Sequence, residues 1–160
     1  MDFKDCIEQG LVKKKHGAER RAKNSLSLAE RFLGSATKNL DIHEHEVCVM
    51  TAYNSLFHSC RALLFSKGYV ERSHFCLLRA IESLYAHERG IIDFVHAIDK
   101  IRTSRHEIQY TGEPADREEA EFVIDTAKEF LEHVRGTLKQ QYPSQGLETR
   151  KHGDNPPLNR

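Results

Sequence analysis

The sequence has no tryptophan, only two methionines and only four prolines, and its apolar residues never run long without interruption. A membrane-spanning helix needs about 18 or more consecutive apolar residues, so a bilayer protein built of helices is excluded. Nothing at the N-terminus has the form of a secretory signal. Charge of a single sign is also missing. Lys plus Arg and Asp plus Glu are 24 each, which leaves no global basic field to drive DNA binding. The four cysteines (Cys6, Cys48, Cys60 and Cys76) contain no CxxC pair and no zinc-type spacing. Cys60 and Cys76 fall among apolar residues and read as free thiols acting as small hydrophobes. Together these absences predict a reducing, cytoplasmic setting.

Catalytic signatures are scarce as well. There is no Gly-rich phosphate loop, no HExxH, no EF-hand and no Ser-His-Asp order, so no cofactor is expected. His43-Glu44-His45-Glu46 invites a metal reading. Alternate residues diverge by about 200° on a helix, which separates the two imidazoles, and two acids at a helix start suit its dipole equally well. No metal is expected there.

What is present is a folding composition. Hydrophobic residues make up 39% of the chain, with eight Phe and five Tyr among them, more than a disordered chain carries. Residues 1–141 are predicted to form one domain, and the polar, unpatterned stretch 142–160 a disordered tail. A short helix is expected within residues 2–12. Ala22, Leu26, Ala29, Leu33, Ala36 and Leu40 recur at steps of three and four, predicting an amphipathic helix from Ala18 to about Asn39. Asp41 followed by Glu44 suggests a capping box for the next helix, which ends at Gly68. Its apolar residues cover more than half the circumference, so it should be central. Ser73 is placed to cap a third helix, running to His87. Gly90 is expected to break the chain before a fourth helix from Ile92 to Tyr110. Thr111-Gly112-Glu113-Pro114 marks a stop and restart before a last helix, about Ala115–Gln140. No strand-like alternation is evident. The fold class is all-α, an up-and-down bundle of four to five helices.

The helix around residue 100 is unusual. Its apolar stripe reads Phe94, Ile98, Ile101, Arg105, Ile108, which sets a guanidinium where a bundle would place an aliphatic side chain. Arg102, Arg105, His106 and Gln109 form its polar flank. An arginine facing a core needs a carboxylate, a helix C-terminus or a ligand phosphate. The sequence leaves open an internal acid such as Glu46 or Asp125, and equally a phosphate, which a guanidinium matches in bidentate geometry. His106, one turn from Arg102, can exchange protons near neutral pH. His58, His74, Tyr53 and Tyr110 each read either as interior groups with a polar tip or as lining of a cleft. Residues 13–23 are basic and 113–132 acidic, two solvated faces or two surfaces that attract one another.

The run Ala52-Tyr53-Asn54-Ser55-Leu56-Phe57-His58-Ser59-Cys60-Arg61-Ala62-Leu63-Leu64, then Lys67-Gly68 and Ser73-His74, then Arg102-x-x-Arg105 and Tyr110, resembles the HEPN family over residues 18–138. The resemblance implies a homodimer with the arginine helices facing a shared cleft. It also implies binding of a nucleotide, RNA or a nucleotidyltransferase antitoxin, or metal-independent endoribonuclease activity of a toxin–antitoxin pair. In that alternative His106 and Arg102 are catalytic. Phosphate binding falls to Arg102, Arg105, Tyr110, Tyr53 and His58. The family's nuclease signature is an Arg and a His separated by four to six residues. Here three residues separate Arg102 from His106, and Ile108 stands two before Tyr110, where that His is looked for.

Overall fold

The computed structural model describes residues 1–141. The segment 142–160, predicted as a tail, lies outside them. The order of elements is α1 (Phe3–Glu8), β1 (Val12–Lys14), a 3-10 turn (Ala18–Arg21), α2 (Ala22–Asp41), α3 (His45–Ser66), β2 (Tyr69–Glu71), α4 (His74–Leu84), α5 (Arg89–Thr111) and α6 (Arg117–Gln141). The fold is all-helical, with one two-stranded antiparallel ribbon pairing Lys14 with Tyr69 and Val12 with Glu71. Among the described residues no helix is long and apolar enough to cross a membrane.

The central position of α3 follows from its composition. Cys48, Val49, Ala52, Leu56, Cys60, Leu63 and Leu64 are fully buried, and α2, α4, α5 and α6 all pack on it. Small side chains on both partners bring α2 close. Ala29 and Ala36 of α2 are buried, and the Ser55 hydroxyl of α3 donates to the Ala29 carbonyl at 2.8 Å. That bond satisfies a buried hydroxyl inside an apolar interface. α6 runs alongside α3 in the same direction. Ala115 N donates to Glu46 Oε1 at one end, and Ser66 Oγ donates to Gln141 Oε1 at the other. α5 runs opposite to α6, with Phe94 against Phe130 (centroids 5.2 Å apart) and Ser104 hydrogen-bonded to Glu119.

Several local expectations are corrected. Asp41 is the last residue of α2 and makes no capping box; α3 starts after Glu44, which gives no side-chain cap. The intervening turn is closed by His43 in the left-handed region, φ 64°. Gly90 is the second residue of α5 and interrupts nothing. The His133 ring of α6 lies so close that a Cβ on Gly90 would fall 2.6 Å from it. Ser73 does cap α4, its hydroxyl accepting from Cys76 N, but α4 ends at Leu84, short of His87. Cys76 is not a free thiol: it forms a disulfide with Cys6, 70 residues away in sequence. The pairing joins α1 to α4, a long-range proximity that spacing alone does not encode. Cys48 and Cys60 are free and buried. The ribbon is absent from the sequence reading because each strand is three residues long and β1 reads locally as a charge run.

Candidate anion-binding site

Tyr53, Phe57, Arg61 and Phe65 follow one another at four-residue steps along α3, so they share one face of that helix. On this face α3 meets α4 and α5. The guanidinium of Arg105, from α5, lies 4.6 Å above the Tyr53 ring centre. Tyr53 is 2% exposed, and its hydroxyl lies 2.7 Å from Nδ1 of His74, the first residue of α4. The His74 ring is stacked in turn on Phe57, with centroids 4.0 Å apart. The Arg61 guanidinium lies 5.4 Å from the Phe57 ring centre.

The polar groups of this layer are unequally satisfied. Arg61 forms an ion pair with Glu71 of β2 at 2.8 Å, and burial raises the Glu71 carboxyl above its usual range despite that partner. Arg102 Nε donates to Asp99 of its own helix at 2.9 Å. Arg105 makes no ion pair among the described residues. Its Nη1 donates to the amide oxygen of Gln109 at 2.7 Å, and its buried Nε has no hydrogen-bond partner. The acids that the sequence offered as alternatives are not its partners: Glu46 accepts from the backbone of Ala115, and Asp125 lies beside Lys128.

Burial keeps the phenol of this centre neutral, and burial together with the neighbouring arginine charges keeps its imidazoles neutral. His74 is held below the ordinary imidazole range by burial and by the charges of Arg105, Arg102 and Arg61. A neutral imidazole protonated on Nε2 can accept the Tyr53 hydroxyl proton at Nδ1. The Tyr53 phenol is pushed up to about 12 by burial, against the opposing pull of Arg105. His58 is pushed down to about 4 by burial, with Arg61, Arg31 and His74 adding to the effect. It is stacked on Phe32, with centroids 5.5 Å apart.

The residues singled out in the sequence therefore fall in two places. Tyr53 and Arg105 are in contact, Arg102 lies one turn from Arg105 on α5, and His58 and His74 both pack against Phe57. His106 and Tyr110 are exposed and pack on each other at 4.7 Å. Ile108, at the position expected for the family's His, is 7% exposed and belongs to the core. Sequence reasoning missed the bonding of His74 to Tyr53 and the part played by Arg61. The signal that could have found them is the four-residue spacing from Tyr53 to Phe65. Among the described residues no group of three or more His, Cys, Asp or Glu is placed to hold a metal ion.

The HEPN domain model matches residues 22–137, which takes in α2 to α6 almost whole. The Methanocaldococcus jannaschii protein "Putative toxin MJ0605" is similar to this chain, 28% identical over 117 residues. The aligned part covers 72% of this chain and 87% of the relative.

Proposed function

The chain belongs to the HEPN domain family, and on that basis we propose that it is a binding module whose site is an anion pocket centred on Arg105. The ligand is a phosphate group of a nucleotide or of RNA. The carrying observation is that Arg105 is a half-buried cation with, among the described residues, no carboxylate partner and an unbonded Nε. Burying an unpaired charge is costly, and an anion beside the guanidinium offsets that cost, phosphate being the group whose geometry guanidinium matches best. Arg102 stands one turn away with its charge already shared with Asp99, and Tyr53 holds Arg105 in place from beneath. The test is titration of the protein with a short oligoribonucleotide and with inorganic phosphate. Wild type binds both, and Arg105→Ala loses at least tenfold in affinity. Equal affinity for the two proteins rejects the site. The homodimer and the nucleotidyltransferase partner belong to the same proposal, checked by light scattering and by co-purification with the candidate partner.

A second reading is a metal-independent endoribonuclease, with His106 as acid and base and Arg102 stabilising the charge of the transition state. The observation favouring it is the exposure of His106 one helical turn from Arg102, together with the toxin name carried by the archaeal relative. RNA cleaved in EDTA by wild type and left intact by His106→Ala supports this reading; RNA intact with both proteins leaves binding as the function.

A further inference from the structure

Residues 1–21 precede the stretch matched by the family model, yet α1 and β1 are fastened to the elements that support Arg105. The first fastening is covalent. Cys6 of α1 is bonded to Cys76, which lies two residues after His74 in the first turn of α4. The second is the ribbon, where Val12 of β1 stands opposite Glu71 of β2. Beside it the Arg72 N–H donates to the Leu11 carbonyl at 2.8 Å, and Phe3 meets Tyr69 edge-on, centroids 5.7 Å apart.

Both fastenings lead to the site. α4 reaches it at two points. His74 is bonded to Tyr53 beneath Arg105, and Arg79 Nη2 lies 3.6 Å from Asp99, the acid that shares the charge of Arg102. Glu71 of β2 pairs with Arg61, whose guanidinium lies by the Phe57 ring on which His74 is stacked. The arm formed by α1 and β1 thus holds the supports of Arg105 from outside the site.

Without the Cys6–Cys76 bond, α1 has little to keep it in place. A helix of six residues is far shorter than one that is stable by itself, and Met1 and Ile7 are exposed. A groove of about 750 Å³ lies between the two helices, with Phe3, Ile7 and Glu8 on one wall and Arg79, Glu82 and Ser83 on the other. Cys6 and Cys76 are fully buried, so a reductant meets the bond when α1 lifts, a local opening that costs less than unfolding. The bundle keeps its own supports when that happens. Ser73 caps α4, and α2, α5 and α6 remain packed on α3.

We propose that the Cys6–Cys76 bond is a redox-operated latch on the Arg105 site. Closed, it sets α4 for anion binding; opened by a dithiol reductant, it frees α1 and loosens the contact of His74 with Tyr53. The proposal rests on the reading of Arg105 as an anion site. The dithiol supplies two electrons and two protons, which leave Cys6 and Cys76 as thiols and the reductant as its own disulfide.

The test compares wild type, Cys6→Ser/Cys76→Ser and Arg105→Ala, each air-oxidised and dithiothreitol-treated, well below the melting temperature. Thiol alkylation reports the bond, titration with inorganic phosphate reports the site, and NMR follows the titration of the His74 imidazole. Oxidised wild type is expected to bind phosphate, with His74 titrating below the ordinary imidazole range. Reduced wild type stays folded and binds about fivefold more weakly or worse, the lower end of usual couplings between sites. Its His74 titrates closer to the ordinary range, and reoxidation restores both readings. Cys6→Ser/Cys76→Ser matches the reduced protein in either buffer, while Arg105→Ala loses phosphate binding and keeps the His74 response. A bond that only staples the fold lowers the melting temperature and moves neither reading. Unchanged affinity and unchanged His74 titration in folded, reduced protein therefore overturn the latch and leave the Arg105 site standing. Unfolding on reduction, or alkylation of Cys6 and Cys76 in the air-oxidised protein, overturns the latch as well. Absence of phosphate binding in oxidised wild type, with His74 still shifting on reduction, rejects the Arg105 reading and keeps the coupling of the bond to α4.

Discussion

The Tyr53 hydroxyl and Nδ1 of His74 lie 2.7 Å apart, joining the middle of α3 to the first residue of α4. The bond holds the ring that carries Arg105 and also secures the entry of α4. Tyr53→Phe removes it and leaves a half-buried imidazole nitrogen unpaired, at a cost of about 1–3 kcal/mol. Urea unfolding is expected to show a lower midpoint with an unchanged slope. An unchanged midpoint would mean that water replaces the hydroxyl without loss.

Arg105 should be worth more to binding than to folding. Its unbonded Nε costs about 1–3 kcal/mol, whereas its stacking on Tyr53 contributes about 0.5–1 kcal/mol. Arg105→Met keeps the apolar stem and removes the charge. Melting is expected to rise by about 2–4 °C for a gain of ~1 kcal/mol, while phosphate binding disappears. A clear fall in melting temperature would show that the guanidinium is satisfied in solution.

Acid should destabilise the fold through its buried imidazoles. The folded pKa of His58 is pushed down to about 4 from 6.5, and that of His74 is also lowered. Above about pH 7 both imidazoles are neutral, folded or unfolded, and pH has no leverage. As pH falls through 6.5 the unfolded chain takes up protons that the folded chain refuses, so stability drops until the folded pKa is passed. His58→Phe is expected to flatten the decline in melting temperature between pH 6.5 and 4. An NMR titration showing His58 protonated at pH 6 would contradict the assignment.

The Cys6–Cys76 bond closes a span of 70 residues, for which constraint of the unfolded chain contributes about 2–4 kcal/mol. Cys6→Ala/Cys76→Ala, or wild type under reductant, should melt about 5–15 °C lower. Coincident melts of oxidised and reduced protein would show that the bond does not form in solution.

Gly90 tests how tightly α5 is bound to α6. An added Cβ meets only the end of the His133 ring, an exposed side chain free to swing aside. Removing a helical glycine gains about 0.5–1 kcal/mol, so Gly90→Ala should melt ~1–4 °C higher. A lower melting temperature would show that His133 is fixed.

The legible part of the fold lies in elements whose pattern repeats. The step of three and four from Ala22 to Leu40 marks α2, and the wide apolar arc from Val47 to Leu64 marks α3 as central. The same periodicity shows Arg105 interrupting the stripe of α5. Boundaries are less legible: Asp41 and Glu44 have the residue types of a cap, yet α2 absorbs Asp41. Gly90 has the type of a breaker, yet it is the second residue of α5 and starts that helix without interrupting it. The ribbon is invisible because three-residue strands carry too little alternation to register.

The helical class, the identity of the central helix and the presence of an arginine on an apolar stripe all follow from the order of residues. Those depend on the 3.6-residue period within single elements. Docking of the elements is what sets Arg105 over Tyr53 instead of pairing it with Glu46 or Asp125. Docking also bonds His74 to Tyr53, brings Cys6 to Cys76, and leaves His106 facing solvent. These are pairings between residues about 20 to 70 positions apart, and the exposure of one side of a helix. They are set by how whole faces meet, since each buried polar group takes the partner that packing brings within hydrogen-bond reach.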